Sequence, residues 1–368
     1  MKKIMSIFGT RPEAIKMCPL VLEIERTEGL QNVVVVTAQH REMLDQVLEV
    51  FDIKPDYDLN IMKKGQTLNS ITVSVLENLD EVIKRERPDM ILVHGDTTTT
   101  FAGALAAFYN KVPVGHVEAG LRTYDKYSPY PEEMNRVLTT RLSDLNFAPT
   151  EISKQNLLKE NVPAESIFIT GNTVIDALQT TVKEGYHFSN ALLNTLDRTK
   201  KIITMTAHRR ENLGEPLEQI CEAVKEIAEV REDVLFVYAV HLNPAVRDTA
   251  ERILSPVKNV LLVEPLELMD MHNLLNISYM VLTDSGGLQE EVPSLGKPVL
   301  VLRDVTERPE GLAAGTLKLV GTDKRKIIQE SIRLLDDAEE YQRMARAVNP
   351  YGDGTASKQI VSVIRGLK

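Results

Sequence analysis

YMVLTDSGGLQEE (279–291) decides the architecture. A short β-favouring run, Tyr279 to Thr283, ends at Asp284-Ser285-Gly286-Gly287, and a helical pattern starts at once. A buried strand that breaks at a Gly-rich turn and enters a helix is the repeating unit of a parallel sheet covered on both faces. Ser285, Gly286 and Gly287 let backbone N–H groups and one hydroxyl approach anionic oxygens closely, since two of the three carry no Cβ. Glu291 falls two turns into the helix, where a carboxylate can accept both hydroxyls of a ribose. The plainer alternative for this stretch is a Gly-rich turn followed by a surface glutamate.

The same unit recurs on either side. IMSIFG (4–9), VVVVT (33–37), MILVHG (90–95), VPVGHV (112–117), DLNFAPT (144–150) and SIFITG (166–171) alternate with helix-length segments. After a break come IITMTAH (202–208), VLFVYAV (234–240), VLLVEP (260–265), YMVLTD (279–284) and KPVLVL (297–302). This predicts an α/β chain of two doubly wound, Rossmann-like domains in series, 1–170 and 171–351. The boundary is set at Gly171, where the sixth strand ends. NPYGDG (349–354) punctuates the end, and the amphipathic run SKQIVSVIRGLK (357–368) predicts a last helix, about 352–368, packed back on the first domain. No Gly/Ser/Pro-rich linker separates the domains, so a close hinge around a deep interdomain cleft is expected.

At 368 residues, with 43% hydrophobic and 26% charged residues, the chain can bury two cores and is not disordered. Its net charge of −10, with no basic tract, argues against a nucleic-acid partner. Cys18 and Cys221 stand far apart in no metal or redox spacing, which suits a reducing compartment. The apolar run after MKK ends within a few residues and no 18-residue apolar stretch occurs, so a cytoplasmic protein without membrane insertion is expected.

Ligands of doubly wound sheets sit beyond the strand C-termini, where this chain places its unusual residues. In GTRPEAIK (9–16), Thr10 and Glu13 have capping-box spacing and Pro12 suits a first helical turn. Arg11 and Lys16 are left unexplained, and two cations beside a helix start suit an anion. HGDTTTT (94–100) brings Asp96, either a cap for the helix begun by Thr97 or an acid. GHVEAGLR (115–122) brings Glu118, and YSPYPEEMNR (127–136) brings Glu132 and Glu133. Carboxylates on neighbouring strand ends of one sheet suggest acid/base chemistry. His94 and His116 raise a metal, but no His-x-x-x-His pair or cysteine accompanies them, so none is expected. DYD (56–58) is read as a loop in a PDYDLN turn. TAHRRENLG (206–214) brings His208, Arg209 and Arg210 to one strand end, a setting suited to a diphosphate, and Arg308 follows in RDVTERPEG (303–311). No GxGxxG follows a strand, and its nearest imitation, GDGTAS (352–357), follows a helical segment, so NAD is not supported.

GTRPEAIKM (9–17), TAQHREMLDQVL (37–48), HGDTTTT, GHVEAGLRT (115–123), PEEMNR (131–136), TAHRREN (206–212), TDSGGLQEE (283–291) and NPYGDG together resemble the non-hydrolysing bacterial UDP-N-acetylglucosamine 2-epimerases. The resemblance spans essentially the whole chain in order. It implies a GT-B fold, a homodimer, and interconversion of UDP-GlcNAc with UDP-ManNAc for surface-polysaccharide synthesis. By the same resemblance Asp96, Glu118 and Glu132 serve chemistry at C2 and His208 is needed for activity. Arg11, Lys16, Ser285, Glu291 and Arg308 hold the UDP. Some members carry a second UDP-GlcNAc in an activating site; Gln39 and His40 match it, whereas Glu42 and Gly65 replace the Gln and Arg of such members.

The implied chemistry agrees with these residues. The C2 proton of a GlcNAc unit has no neighbouring carbonyl, so its removal needs either prior oxidation or departure of UDP from C1. Without a nicotinamide fingerprint the second route is expected, through a 2-acetamidoglucal, and it needs carboxylates and a cationic hold on the leaving diphosphate. The competing readings are a hydrolysing 2-epimerase, a GT-B glycosyltransferase and an inactive nucleotide-sugar sensor.

Overall fold

The computed structural model describes residues 1–38, 41–62 and 65–367. The chain divides into two compact units, Met1–Thr180 with Tyr351–Lys368, and Thr181–Pro350.

The first unit is built on seven parallel strands: β1 (Lys2–Phe8), β2 (Leu30–Val36), β3 (Tyr57–Asp58), β4 (Met90–His94), β5 (Val114–Val117), β6 (Leu145–Ala148) and β7 (Ile167–Ile169). Their order is β3-β2-β1-β4-β5-β6-β7, so the winding reverses between β1 and β4. β1 runs in register with β2 from Lys2↔Leu30 to Phe8↔Val36, and with β4 from Ile4↔Met90 to Ser6↔Leu92. Val33, Val35, Met5, Ile7, Ile91 and Val93 pack one sheet face against Ile71, Val75 and Leu79 of the helix Leu68–Glu86 and Ala102, Ala104, Ala106 and Ala107 of the helix Thr98–Tyr109. Near-continuous apolar strands follow from this burial on both faces.

The second unit carries six parallel strands: β8 (Lys201–Thr206), β9 (Val234–Ala239), β10 (Val260–Val263), β11 (Met280–Thr283), β12 (Val299–Val301) and β13 (Leu317–Leu319). The order is β10-β9-β8-β11-β12-β13, reversing between β8 and β11. One large core joins Ile203, Phe236 and Leu282 to Ile220, Val224 and Ile227 of the helix Glu215–Val230. Both sheets are therefore doubly wound, and every strand expected from the sequence is present.

Two short strands escaped the sequence reading. β3 is the DYD segment, expected as a loop; Val35↔Tyr57 and Val36↔Asp58 pair it to the edge of β2. β13 spans three residues and pairs with β12 from Val299↔Leu317 to Val301↔Leu319. Pieces this short carry no periodicity to read.

The boundary lies further along than Gly171. Gly171 (φ +83°) sits where the returning chain passes, and a Cβ on it would stand 3.0 Å from the Tyr351 carbonyl oxygen. Asn172 donates its backbone N–H to the same oxygen at 2.7 Å. The helix Thr173–Thr181 thus joins the first unit almost to its end. Its Asp176 carboxylate accepts the N–H groups of Ala356 at 3.2 Å and Ser357 at 2.7 Å, capping the C-terminal helix Ala356–Gly366. That helix lies on the helix Arg11–Arg26, and Lys2 Nζ donates to the carbonyls of Ile364 and Leu367.

Candidate active site

In the first unit the chemistry-bearing residues emerge where the winding reverses, at the C-terminal ends of β1, β4 and β5. Thr10 caps the helix Arg11–Arg26 in a full capping box with Glu13. Glu13 does more than cap. Its buried carboxylate accepts N–H from Gly9 (3.0 Å) and Thr10 (2.7 Å), and hydroxyls from Thr97 (2.7 Å) and Thr100 (3.1 Å). One side chain thereby fixes the loop carrying Arg11 against the loop carrying Asp96.

The cap of the helix Thr98–Tyr109 is Thr97, whose hydroxyl accepts from Thr100 N. Asp96 is therefore not the cap of that helix. Its Oδ2 stands 2.8 Å from Arg136 of the helix Glu132–Leu142, while Asn135 donates to its backbone carbonyl at 2.9 Å. Burial pushes the Asp96 carboxyl up to about 6 against the pull of Arg136, and the charges of Glu118 and Glu132 add to the rise. Those couplings place the three acids in one electrostatic cluster.

Glu118 follows β5 in a left-handed conformation, φ +62°. For a residue with a Cβ this costs on the order of 1–2 kcal/mol, and such strain collects where geometry serves function. Its Oε2 takes an ion pair from Lys16 and a hydrogen bond from Asn172 Nδ2 at 2.8 Å, with His94 Nε2 at 3.8 Å. Lys16 thus meets Glu118 in this structure. His94 and His116 are fully buried, and burial lowers them to about 4 and about 3. Neutral His116 donates Nε2–H to the Gly95 carbonyl at 2.7 Å, fixing the turn before Asp96.

The two glutamates of PEEMNR separate cleanly. Glu133 is structural: its carboxylate accepts Thr123 N at 3.1 Å and Tyr124 N at 2.9 Å. Glu132 has a buried Oε2 without a hydrogen-bond partner among the described residues. An unsatisfied buried carboxylate oxygen is costly, and a substrate group would satisfy it.

In the second unit the reversal point between β8 and β11 brings HRREN beside DSGG. Asp284, fully buried, organises both. Its Oδ2 accepts N–H from His208 and Arg209 at 2.7 Å each and Asn212 Nδ2 at 3.0 Å. His208 stays partly exposed and stacks on His241 with ring centroids 5.4 Å apart. A Cβ on Gly286 would stand 3.6 Å from an Arg209 guanidinium nitrogen and 3.7 Å from one of Arg308, so two cations flank this glycine. Gly287 lies close to Ser285 Oγ and Glu291 Oε1. Arg308 is held by an ion pair to buried Glu290. Ser285 opens the helix Gly286–Glu291 but makes no side-chain cap, leaving its hydroxyl for another acceptor.

The sequence missed the residues that hold others. Asp284, Arg136, Asn172, Glu290 and His272, which stands 3.3 Å from Glu291, lie far in the chain from their partners. Asp284, Arg136 and Glu290 fall inside quoted motifs, and for these three motif membership was the available signal. Gln39 and His40 lie outside the described residues. Among the described residues no cluster of His, Cys, Asp and Glu is placed to hold a metal, and no helix is long and apolar enough to cross a membrane.

A family model for UDP-N-acetylglucosamine 2-epimerase matches residues 22–365. The UDP-N-acetylglucosamine 2-epimerase of Bacillus subtilis (strain 168) is 60% identical over 98% of this chain and 94% of its own length. That of Escherichia coli (strain K12) is 56% identical over 99% of this chain and 98% of its own. The crystal structure of UDP-GlcNAc 2-epimerase from Neisseria meningitidis bound to UDP-GlcNAc is similar with a TM-score of 0.87 at 51% identity, covering 99% and 100% of the two chains.

Proposed function

The chain belongs to the UDP-N-acetylglucosamine 2-epimerase family, and from that premise we propose that it interconverts UDP-GlcNAc and UDP-ManNAc by elimination and re-addition of UDP. A carboxylate takes the proton from C2, the C2–H electrons form the C1=C2 bond, and the C1–O bond breaks to release UDP. Re-addition reverses these changes after a proton reaches C2 from the opposite face. Asp96, Glu118 and Glu132 serve the proton transfers. Ser285, Gly286, Gly287, Arg308, His208 and Arg11 hold the diphosphate, and Glu291 the ribose. Lys16, paired with Glu118 here, adds its charge to either task.

The observation that carries this reading is the acid cluster. A carboxyl raised to about 6 by burial and by two neighbouring carboxylates can both lose and gain a proton near neutrality. Two guanidinium groups against Gly286 supply the positive charge that a departing diphosphate needs. Written this way the reaction needs neither NAD nor a divalent metal, in keeping with the missing dinucleotide fingerprint.

The experiment follows two isotopes. In deuterated water the products should gain deuterium at C2. An oxygen label bridging C1 and phosphorus should scramble into the non-bridging β-phosphate positions. Oxidation at C3 would also exchange the C2 proton, so the oxygen decides: epimerisation with the label wholly in place rules out elimination. Free ManNAc as the main product would instead identify a hydrolysing enzyme.

The same reading extends to the cell. The product supplies surface-polysaccharide synthesis from the cytoplasm, where nucleotide sugars are made and where buried thiols such as Cys18 and Cys221 stay reduced. A homodimer is supported by exposed apolar residues on three successive helices of the first unit: Leu68 and Val73, Phe108 and Tyr109, Met134 and Leu138. Gln39 and His40 keep part of the activating pattern and Glu42 and Gly65 break the rest.

A further inference from the structure

We infer that His272, locked by Thr181, is the positioning residue that aims Glu291 at the nucleotide ribose; this rests on the placement of the ribose at Glu291 proposed above. His272 lies on the helix Leu268–Ile277 and is buried, yet the acid and phosphate motifs do not include it. Its Nδ1 is 2.7 Å from the Thr181 hydroxyl, and its Nε2 is 3.3 Å from Glu291 Oε2. A carboxylate cannot donate, so it favours the tautomer that carries its proton on Nε2. The Thr181 hydroxyl completes the choice by donating to Nδ1. The ring then holds its Nε2 toward one oxygen of Glu291 and leaves Oε1, which lies beside Gly287, for a ligand hydroxyl.

Thr181 is itself held firmly. Asn273, the next residue on the same helix, donates Nδ2–H to the Thr181 carbonyl at 2.9 Å and accepts Lys183 N–H at 2.8 Å. Thr181 is also the first residue of the second unit. A threonine, a histidine and an asparagine thus build a seat that ends at the carboxylate. Purely structural packing would not require a buried polar ring with both nitrogens facing polar atoms.

The test compares UDP with 2′,3′-dideoxy-UDP, whose ribose offers Glu291 nothing to bind. The wild type should bind UDP the more tightly. His272→Leu should weaken UDP about tenfold, the size of one charge-assisted contact, and leave dideoxy-UDP unchanged, so their affinity ratio falls toward one. His272→Gln, whose amide N–H can replace Nε2–H, should restore much of the ratio. If His272→Leu fails to fold, Thr181→Val carries the test, since loss of the hydroxyl alone should lower the ratio. Equal weakening of both nucleotides, or an unchanged ratio, overturns the inference and leaves His272 a packing residue. Glu291→Ala separates the premise: a ratio unmoved by Glu291→Ala removes the ribose from Glu291. A ratio lost in Glu291→Ala but kept in His272→Leu refutes the positioning role alone.

Discussion

Replacing Glu13 distinguishes a helix cap from a residue that fixes two loops. As a capping-box member alone, Glu13 contributes about 1 kcal/mol. The structure assigns its carboxylate four donors. In Glu13→Ala, the two hydroxyls can turn elsewhere, Thr97 to the Thr100 hydroxyl 3.0 Å away and Thr100 to the His94 carbonyl. The Gly9 and Thr10 amides have no such alternative, and two buried N–H groups left unpaired cost about 1–3 kcal/mol each. The expected loss is therefore about 2–6 kcal/mol. Glu13→Gln keeps an oxygen for both amides and an NH2 group that either hydroxyl can accept. It forfeits about 1 kcal/mol per charge-assisted bond, offset in part because no charge is then buried. Hydrogen exchange of the Gly9 and Thr10 amides, with equilibrium unfolding of both variants, measures the difference locally. Turnover should follow, because the loops concerned carry Arg11 and Asp96: near normal in Glu13→Gln, severely reduced per folded molecule in Glu13→Ala. Equal stability of the two variants with protection of both amides retained would refute the reasoning.

Asp96→Asn, Glu118→Gln and Glu132→Gln are near-isosteric and should each lower turnover about a hundredfold or more with little change in UDP affinity; normal turnover in all three reduces the cluster to a structural role. One limb of the pH–rate profile should lie at about 6, and Arg136→Gln, which removes the charge that holds Asp96 down, should move that limb to higher pH. A limb that stays put belongs to another group. Because the folded pKa of Asp96 is raised, its ionisation destabilises the protein as pH climbs from about 4 to about 6. Asp96→Asn should therefore raise the unfolding temperature at pH 7 more than at pH 4. Arg308→Ala and Glu291→Ala should each weaken UDP binding by about 1.5–3 kcal/mol, and unchanged titrations would move the nucleotide elsewhere.

The strands were legible because a parallel sheet buried on both faces demands unbroken apolar runs, and VVVVT or YMVLTD admit little else. Long-range closure was not. Gly171 reads as an end of strand, and nothing local tells that Tyr351 returns to lie against it. The acids could be found because they stand directly after strands, yet their division of labour could not. PEEMNR offers two adjacent glutamates, and only the fold shows that Glu133 binds the Thr123 and Tyr124 amides while Glu132 keeps a buried oxygen open.

That division has a physical logic. The two glutamates that hold the site have both carboxylate oxygens filled: Glu133 by two amides, Glu13 by four donors. Glu132 is left short of a partner on one buried oxygen, and Asp96 is driven above its ordinary proton affinity by burial. The satisfied groups lower the energy of the fold, whereas the unsatisfied ones raise it and are kept in place by those satisfied groups. Sequence motifs list both kinds side by side, because a motif records which residues occur together and not which of them are at rest. Separating holder from actor takes the hydrogen-bond partners, and by that measure His272, tied to the Thr181 hydroxyl and set 3.3 Å from Glu291, is a holder.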